Sequence, residues 1–212
     1  MPFKPTTGDQ YEAGIRYQYG KSIYVTFGGY QITQKNMTTP DPDGETCGTA
    51  TCLIQTGKGR VRGLELEGRA TLPWDMAVIF TGTRSDARIR QSNTPGQVGN
   101  YLPQAPKWMA SLFIDQRIRY GALRGLGVGG GVRYTGTSYG DTANKLAIPD
   151  YTLFDTFLRY DVGDAHPAYK GLMLSLNMRN VANKRFVATC TAVAACYYGQ
   201  GRNLTARLEY RW

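Results

Sequence analysis

The sequence predicts an all-β protein: nine strands of an antiparallel transmembrane β-barrel, forming an open, curved sheet. Three observations carry that expectation. The 212 residues hold 26 Gly and 10 Pro beside 12% aromatics, a mix suited to many strands joined by turns and unsuited to a helical bundle. Apolar residues recur with a period of two along most of the chain, and the links between the alternating segments are short and long in turn. A 42% hydrophobic, 19% charged composition has enough apolar surface to offset the entropy of ordering, which excludes a disordered chain.

The strands are read in order as follows. Segments 9–19 and 22–35 are joined by Gly20-Lys21. In 57–72, Leu64, Leu66, Gly68, Ala70 and Leu72 alternate with Glu65, Glu67, Arg69 and Thr71, and Pro73 links this strand to 74–90. In 107–119 one face is Trp108, Ala110, Leu112 and Ile114, and the other turns polar through Ser111, Asp115, Arg117 and Arg119. Residues 120–124 lead into 125–136. Segment 151–162 sets Phe154, Leu158 and Tyr160 against Asp155, Arg159 and Asp161. Segment 171–183 sets Leu172, Leu174, Leu176 and Met178 against Ser175, Asn177 and Arg179. The last, 202–212, sets Leu204, Ala206, Leu208, Tyr210 and Trp212 against Asn203, Thr205, Arg207, Glu209 and Arg211. Several of these runs reach the roughly 9–11 residues that cross a bilayer at a tilt and exceed the ordinary globular strand of about 5–6.

Short links at 20–21, 73 and 120–124, with a moderate one at 163–170, interleave with long ones at 36–56, 91–106, 137–150 and 184–201. Short turns on one side and long loops on the other is the layout of an outer-membrane barrel. A mean hydropathy of −0.39 agrees, because lipid-facing and lumen-facing residues cancel along each strand. No stretch is long and apolar enough for a transmembrane helix. An odd strand count puts residue 1 on the outer side, so the chain reads as truncated at its N-terminus. The N-terminal residues hold no apolar export segment either, consistent with a piece of something larger. A small self-contained barrel acting as adhesin or pore, and a soluble β-sandwich binding module, are the alternatives.

The net charge of +9 comes from basic residues scattered through the chain, a pattern against nucleic-acid binding. Cysteines fall as close pairs, Cys47 with Cys52 and Cys190 with Cys196, in segments rich in Thr, Gly and Ala. Local loop disulfides in an oxidising compartment are expected, each closing a long loop, although four cysteines allow three pairings. The competitor is zinc, which needs the pairs to meet across the fold; the sole histidine, His166, is near neither. Outside zinc no metal or cofactor is expected.

Several segments resemble the C-terminal part of the TonB-dependent outer-membrane siderophore receptors, ferrichrome-type hydroxamate receptors in particular. They are Gly8-Asp9-Gln10-Tyr11-Glu12-Ala13-Gly14, Arg62-Gly63-Leu64-Glu65-Leu66-Glu67-Gly68 and Arg133-Tyr134-Thr135-Gly136-Thr137-Ser138-Tyr139-Gly140-Asp141. The closing stretch is the most specific: Asn180-Val181-Ala182-Asn183-Lys184-Arg185-Phe186, the Cys190 and Cys196 loop, Tyr197-Tyr198-Gly199 and the final strand. The resemblance spans nearly all of the chain. It implies that residues 1–212 are the last nine strands of a 22-stranded barrel whose lumen holds an N-terminal plug. That plug, the TonB box and the earlier strands are absent from this sequence. It further implies outer-membrane lipid as surroundings, a ferric siderophore as transported ligand, and contact with the TonB complex only through the missing plug.

The charges Arg16, Glu65, Glu67, Arg69, Asp115, Arg117, Arg133, Asp155, Arg159 and Arg207 are expected on the lumen side, since Arg or Lys at the bilayer midplane costs about 2–4 kcal/mol. Most are expected to be wall charges in ion pairs. Tyr11, Tyr17, Tyr19, Trp74, Trp108, Tyr120, Tyr160, Tyr210 and Trp212, near strand ends, suit an interfacial girdle. In the resembled family, outer-loop aromatics and lumen-facing polar groups hold the ferric hydroxamate. By that resemblance Tyr139, Tyr197, Tyr198 and Arg133 are the candidate ligand contacts. The family's aromatic after the first loop cysteine is Thr191 here, with Tyr197 or Tyr198 as substitute. Gly127, Gly129 and Gly131 place three minimal residues on one strand face, expected to make room for a packed plug. No catalytic motif is present, so an enzyme is not expected.

Overall fold

The computed structural model describes residues 3–41, 43, 46–47, 49–192 and 195–212. Nine strands hydrogen-bond in chain order into one antiparallel sheet. They are β1 (Thr7–Tyr19), β2 (Ile23–Pro40), β3 (Leu53–Leu72), β4 (Met76–Gln91), β5 (Trp108–Arg117), β6 (Leu126–Thr135), β7 (Tyr151–Asp161), β8 (Leu172–Arg179) and β9 (Asn203–Tyr210). The sheet is open, with β1 and β9 as its edges, so neither a small closed barrel nor a two-sheet sandwich describes these strands. Three two-stranded hairpins decorate the long-loop end: Thr46–Cys47 with Ala50–Thr51, Ser138–Tyr139 with Ala147–Ile148, and Val187–Ala192 with Ala195–Tyr198.

Register makes the two faces continuous. One row runs Tyr17, Val25, Gly68, Phe80, Leu112, Val132, Phe154 across seven strands. The next row, one residue on, runs Arg16, Thr26, Glu67, Thr81, Ser111, Arg133, Leu153. A one-residue slip would exchange the faces, so period-two patterning locks the pairing wherever one face must avoid water. Leu64, Leu66, Leu112, Leu158, Leu174, Leu176 and Leu208 all share the apolar face and stand exposed. Every charge expected on the lumen side shares the other face, called inner below.

Strand ends differ from expectation where the backbone turns left-handed. The eighth strand stops at Arg179, short of 183, because Asn180 and Asn183 both take φ of +51°. The fourth starts at Met76, since Trp74 and Asp75 at φ of +61° and +58° make the preceding tight turn.

The space left by the glycines of β6 is filled from within the sheet, which corrects the expectation of a lane kept for a plug. A Cβ on Gly129 would lie 2.3 Å from the Phe157 ring, one on Gly131 2.3 Å from Phe113, and one on Gly127 2.6 Å from Arg159 Nε. Over this lane Phe113 and Phe157, two strands apart, stack at 5.9 Å. Arg159 reaches across it to Asp115 at 2.9 Å. Other inner charges pair nearby: Arg117 with Asp164 at 2.5 Å, and Arg207 with Glu209 at 3.2 Å. These ion pairs cluster on β5 to β9; Glu65, Glu67 and Arg69 have no ion-pair partner among the described residues.

Candidate functional site

Three long connections, after β4, β6 and β8, fold onto one another at one end of the sheet, and every candidate ligand residue lies there. The first, 92–107, extends β4: Leu102 N–H donates to the Ala87 carbonyl at 3.0 Å and Ile89 N–H to that of Asn100 at 2.9 Å. The second is latched to it by Asn144, whose Oδ1 accepts from Tyr101 N–H at 2.7 Å while its Nδ2 donates to the Tyr101 carbonyl at 2.9 Å. The third carries a hairpin closed by Cys190–Cys196, with an S–S distance of 2.01 Å. Close packing of that hairpin on the second loop is fixed at Gly140, where a Cβ would sit 2.8 Å from Cys190 Cβ. Cys47–Cys52 closes the long link between β2 and β3, at 2.11 Å. Both pairings match the expected loop disulfides, and no thiolate among the four is left to hold zinc. Among the described residues the buried apolar side chains, Ala87, Ile89, Ile148, Leu153 and Cys190, lie in the same region.

Arg133 is held as a strut. Its Nε meets Asp155 Oδ2 at 2.6 Å and its Nη2 meets Oδ1 at 3.0 Å, a two-pronged pair. Asp155 Oδ1 also accepts from Asn180 N–H at 2.9 Å. Asn180 is 2% exposed and ties down the third loop: Nδ2 donates to the carbonyls of Lys184 at 2.9 Å and Gln200 at 3.1 Å, and Oδ1 accepts from Lys184 N–H at 2.8 Å. Asn180→Ala is therefore expected to remove three hydrogen bonds that hold the third loop to the sheet, at about 1–3 kcal/mol. Limited proteolysis should cut 184–201 faster in that variant; an unchanged rate would count against the strut.

The four candidates thus differ in how free they are. Tyr139 stacks on Tyr101 at 5.8 Å between centroids, with Lys107 Nζ 5.3 Å from its ring. Arg133 is engaged by Asp155. Tyr197 and Tyr198, on the outer arm of the hairpin, are 61% and 78% exposed and present their rings to solvent. Sequence reasoning named Asn180 only within a motif and gave no role to Tyr101 or Asn144; the left-handed Asn180 and Asn183 were the readable signal. Beyond the apolar rows, Lys35 Nζ pairs with Asp9 Oδ2 at 2.5 Å across β1 and β2. The assembly offers exposed phenol rings and hydroxyls, able to pack against a ligand and to hydrogen-bond it. The single histidine lies in the turn after β7, at the opposite end.

A family profile described as TonB dependent receptor-like, beta-barrel matches residues 1–181. The ferrichrome outer membrane transporter/phage receptor of Escherichia coli (strain K12) is 35% identical over 211 residues, covering 99% of this chain and 27% of that protein. The ferrioxamine receptor of Yersinia enterocolitica is 35% identical over 208 residues, covering 98% and 28%. Among solved structures, BauA, the ferric preacinetobactin receptor from Acinetobacter baumannii, superposes with a TM-score of 0.80 at 20% identity, over 98% of this chain and 30% of that one. This chain spans less than a third of the length of each of them.

Proposed function

The chain belongs to the TonB-dependent receptor-like β-barrel family, and on that premise we propose that its 212 residues are the C-terminal barrel segment of an outer-membrane receptor for energy-coupled uptake of a ferric siderophore of the hydroxamate type. The observation that carries the ligand class is the 35% identity, over almost the whole chain, to a ferrichrome transporter and a ferrioxamine receptor. The fold agrees with the transport reading. Nine two-faced strands form a wall with an apolar outside and an ion-paired inside, and such a wall closes only when β1 and β9 meet further strands. Coupling to the TonB complex then belongs to a plug domain that residues 1–212 do not supply.

In this reading Tyr197 and Tyr198 are the ligand-facing aromatics of the segment. Tyr139 and Arg133 shape the loop frame on which those two stand, Tyr139 through Tyr101 and Arg133 through Asp155 and Asn180. The test is uptake of iron-55 as ferrichrome and as ferrioxamine B by iron-starved cells that lack their own hydroxamate receptors and make the full-length protein. Uptake abolished by dissipating the proton gradient is the expected result. The Tyr197→Ala, Tyr198→Ala double variant should raise the half-saturating concentration about tenfold, the equivalent of roughly 1.4 kcal/mol. Uptake of neither complex would sink the hydroxamate assignment; an unchanged double variant would remove the two tyrosines from the site.

A further inference from the structure

We propose that Phe186 is a positioning residue whose ring, wedged at the base of the disulfide-closed hairpin, fixes the direction in which Tyr197 and Tyr198 meet the ligand, an inference that rests on the siderophore-receptor reading above. The two tyrosines do not orient themselves. Both are exposed, and neither ring has a stacking or side-chain hydrogen-bond partner among the described residues. Their direction is therefore inherited from the hairpin, in which Tyr198 pairs with Val187 and Tyr197 with Thr189. Phe186 precedes its first arm and Gly199 follows its second, and Gly199 N–H donates to the Phe186 carbonyl at 2.9 Å. That bond closes the base directly beside Tyr198, so whatever seats the base also aims the two rings.

The Phe186 ring seats that base on the wall. It packs on Tyr151, the first residue of β7, with 4.2 Å between centroids and planes inclined by 34°. Tyr151 shares the inner face with Leu153 and Asp155, so the contact ties the hairpin to the lumen side. The same ring lies over Gly199, where an added Cβ would come within 1.9 Å of Cζ and 2.1 Å of Cε2. Gly199 is not among the glycines of positive φ, so no left-handed turn demands a glycine there; the ring does. The hairpin's second seat is Cys190, against Gly140, with Gln104 Nε2 donating to the Cys190 carbonyl at 3.5 Å. With Cys190 held, a change in the thickness of the Phe186 wedge tilts the hairpin and swings Tyr197 and Tyr198, while the strands beneath keep their ladder bonds.

The measurement is uptake of iron-55 ferrichrome by the full-length protein in the receptor-deficient cells described above, with rates normalised to folded barrel by the mobility of unheated protein in electrophoresis. Gly199→Ala should raise the half-saturating concentration about tenfold and leave the maximal rate within about twofold. Phe186→Leu should raise it about threefold, and combining the two should give less than the product, because the smaller side chain makes room for the new methyl. Gly82→Ala, where a Cβ meets nothing within 4 Å, should change neither constant. The decisive arm places Gly199→Ala in the Tyr197→Ala, Tyr198→Ala background: a residue acting through the tyrosines adds less than about twofold there, whereas one acting on the loop at large adds its full tenfold. A full further loss in that background, strict multiplication of the Phe186 and Gly199 effects, a fall in maximal rate alone, or an unchanged Gly199→Ala would each overturn the positioning role while wild-type uptake stands. Wild-type uptake of neither ferrichrome nor ferrioxamine B refutes the hydroxamate reading and the proposal with it. An unchanged tyrosine double variant removes the two rings that Phe186 is proposed to aim and overturns the proposal, with the transport reading intact.

Discussion

Leu112→Arg is expected to destabilise the folded, membrane-inserted protein by about 2–4 kcal/mol, whereas Thr81→Arg should change stability by less than about 1 kcal/mol. Leu112 lies in the apolar row between Phe80 and Val132, midway between the interfacial Trp108 and Gln116 of the same strand. A guanidinium there has no water, and the short reach of the side chain from midplane does not bring it to either surface. Thr81 neighbours that row but points to the inner face, directly opposite Glu67, which has no ion-pair partner among the described residues. Its replacement forfeits one exposed hydroxyl hydrogen bond, to Ser111 Oγ at 2.8 Å, and gains a carboxylate. Urea titration of the full-length protein in lipid vesicles measures both. Equal losses would mean that the two faces do not meet different solvents.

Gly129→Ala should cost about 2–3 kcal/mol and Gly127→Ala less than about 1, although both lie on the same face of β6. At Gly129 the new methyl would meet the Phe157 ring at 2.3 Å and the Ile114 carbonyl oxygen at 2.5 Å. The ring could turn away only by leaving Phe113, and the carbonyl belongs to the ladder between β5 and β6, so the sheet itself must shift. At Gly127 the obstacle is the Arg159 side chain, flexible and roughly a third exposed. It can swing aside at the expense of a partly solvated pair with Asp115, and such pairs contribute little. Shifts of the urea midpoint report both. A Gly127 variant as damaged as the Gly129 variant would show that the Arg159 bridge is rigid, contrary to this account.

Much of the wall is legible in the chain itself, because a strand with one face in lipid must alternate at every second residue. That local rule places Leu64, Leu66, Leu112, Leu174 and Leu208 together and sends Glu65, Glu67, Arg159 and Arg207 to the other side without any knowledge of which strands pair. The alternating link lengths then give strand order, and cysteines five and six residues apart find each other by proximity along the chain. The eighth strand ended early and the fourth began late where Asn180, Asn183, Trp74 and Asp75 turn left-handed, whereas the second ran on to Pro40 and the third began at Leu53, lengthening a hairpin that the sequence reads as loop. The site was less legible. Arg133 reads as a lumen charge, yet that it is spoken for depends on Asp155 standing beside it and on Asn180 capping the same carboxylate. The glycines of β6 read as room for something, but their occupants, Phe113, Phe157 and Arg159, come from strands on either side.

What the sequence by itself determined is therefore everything that repeats along one strand: the number of strands, the face of each side chain and the end at which the long loops gather. What only the tertiary structure decided is everything that crosses strands: the stacking over the glycine lane, the latch of Asn144 on Tyr101 and the anchoring by Asn180. The reason is geometric. Facing is set by the period of one strand's own backbone, while lateral neighbours depend on the stagger between strands, which shifts partners by residues that no local pattern counts.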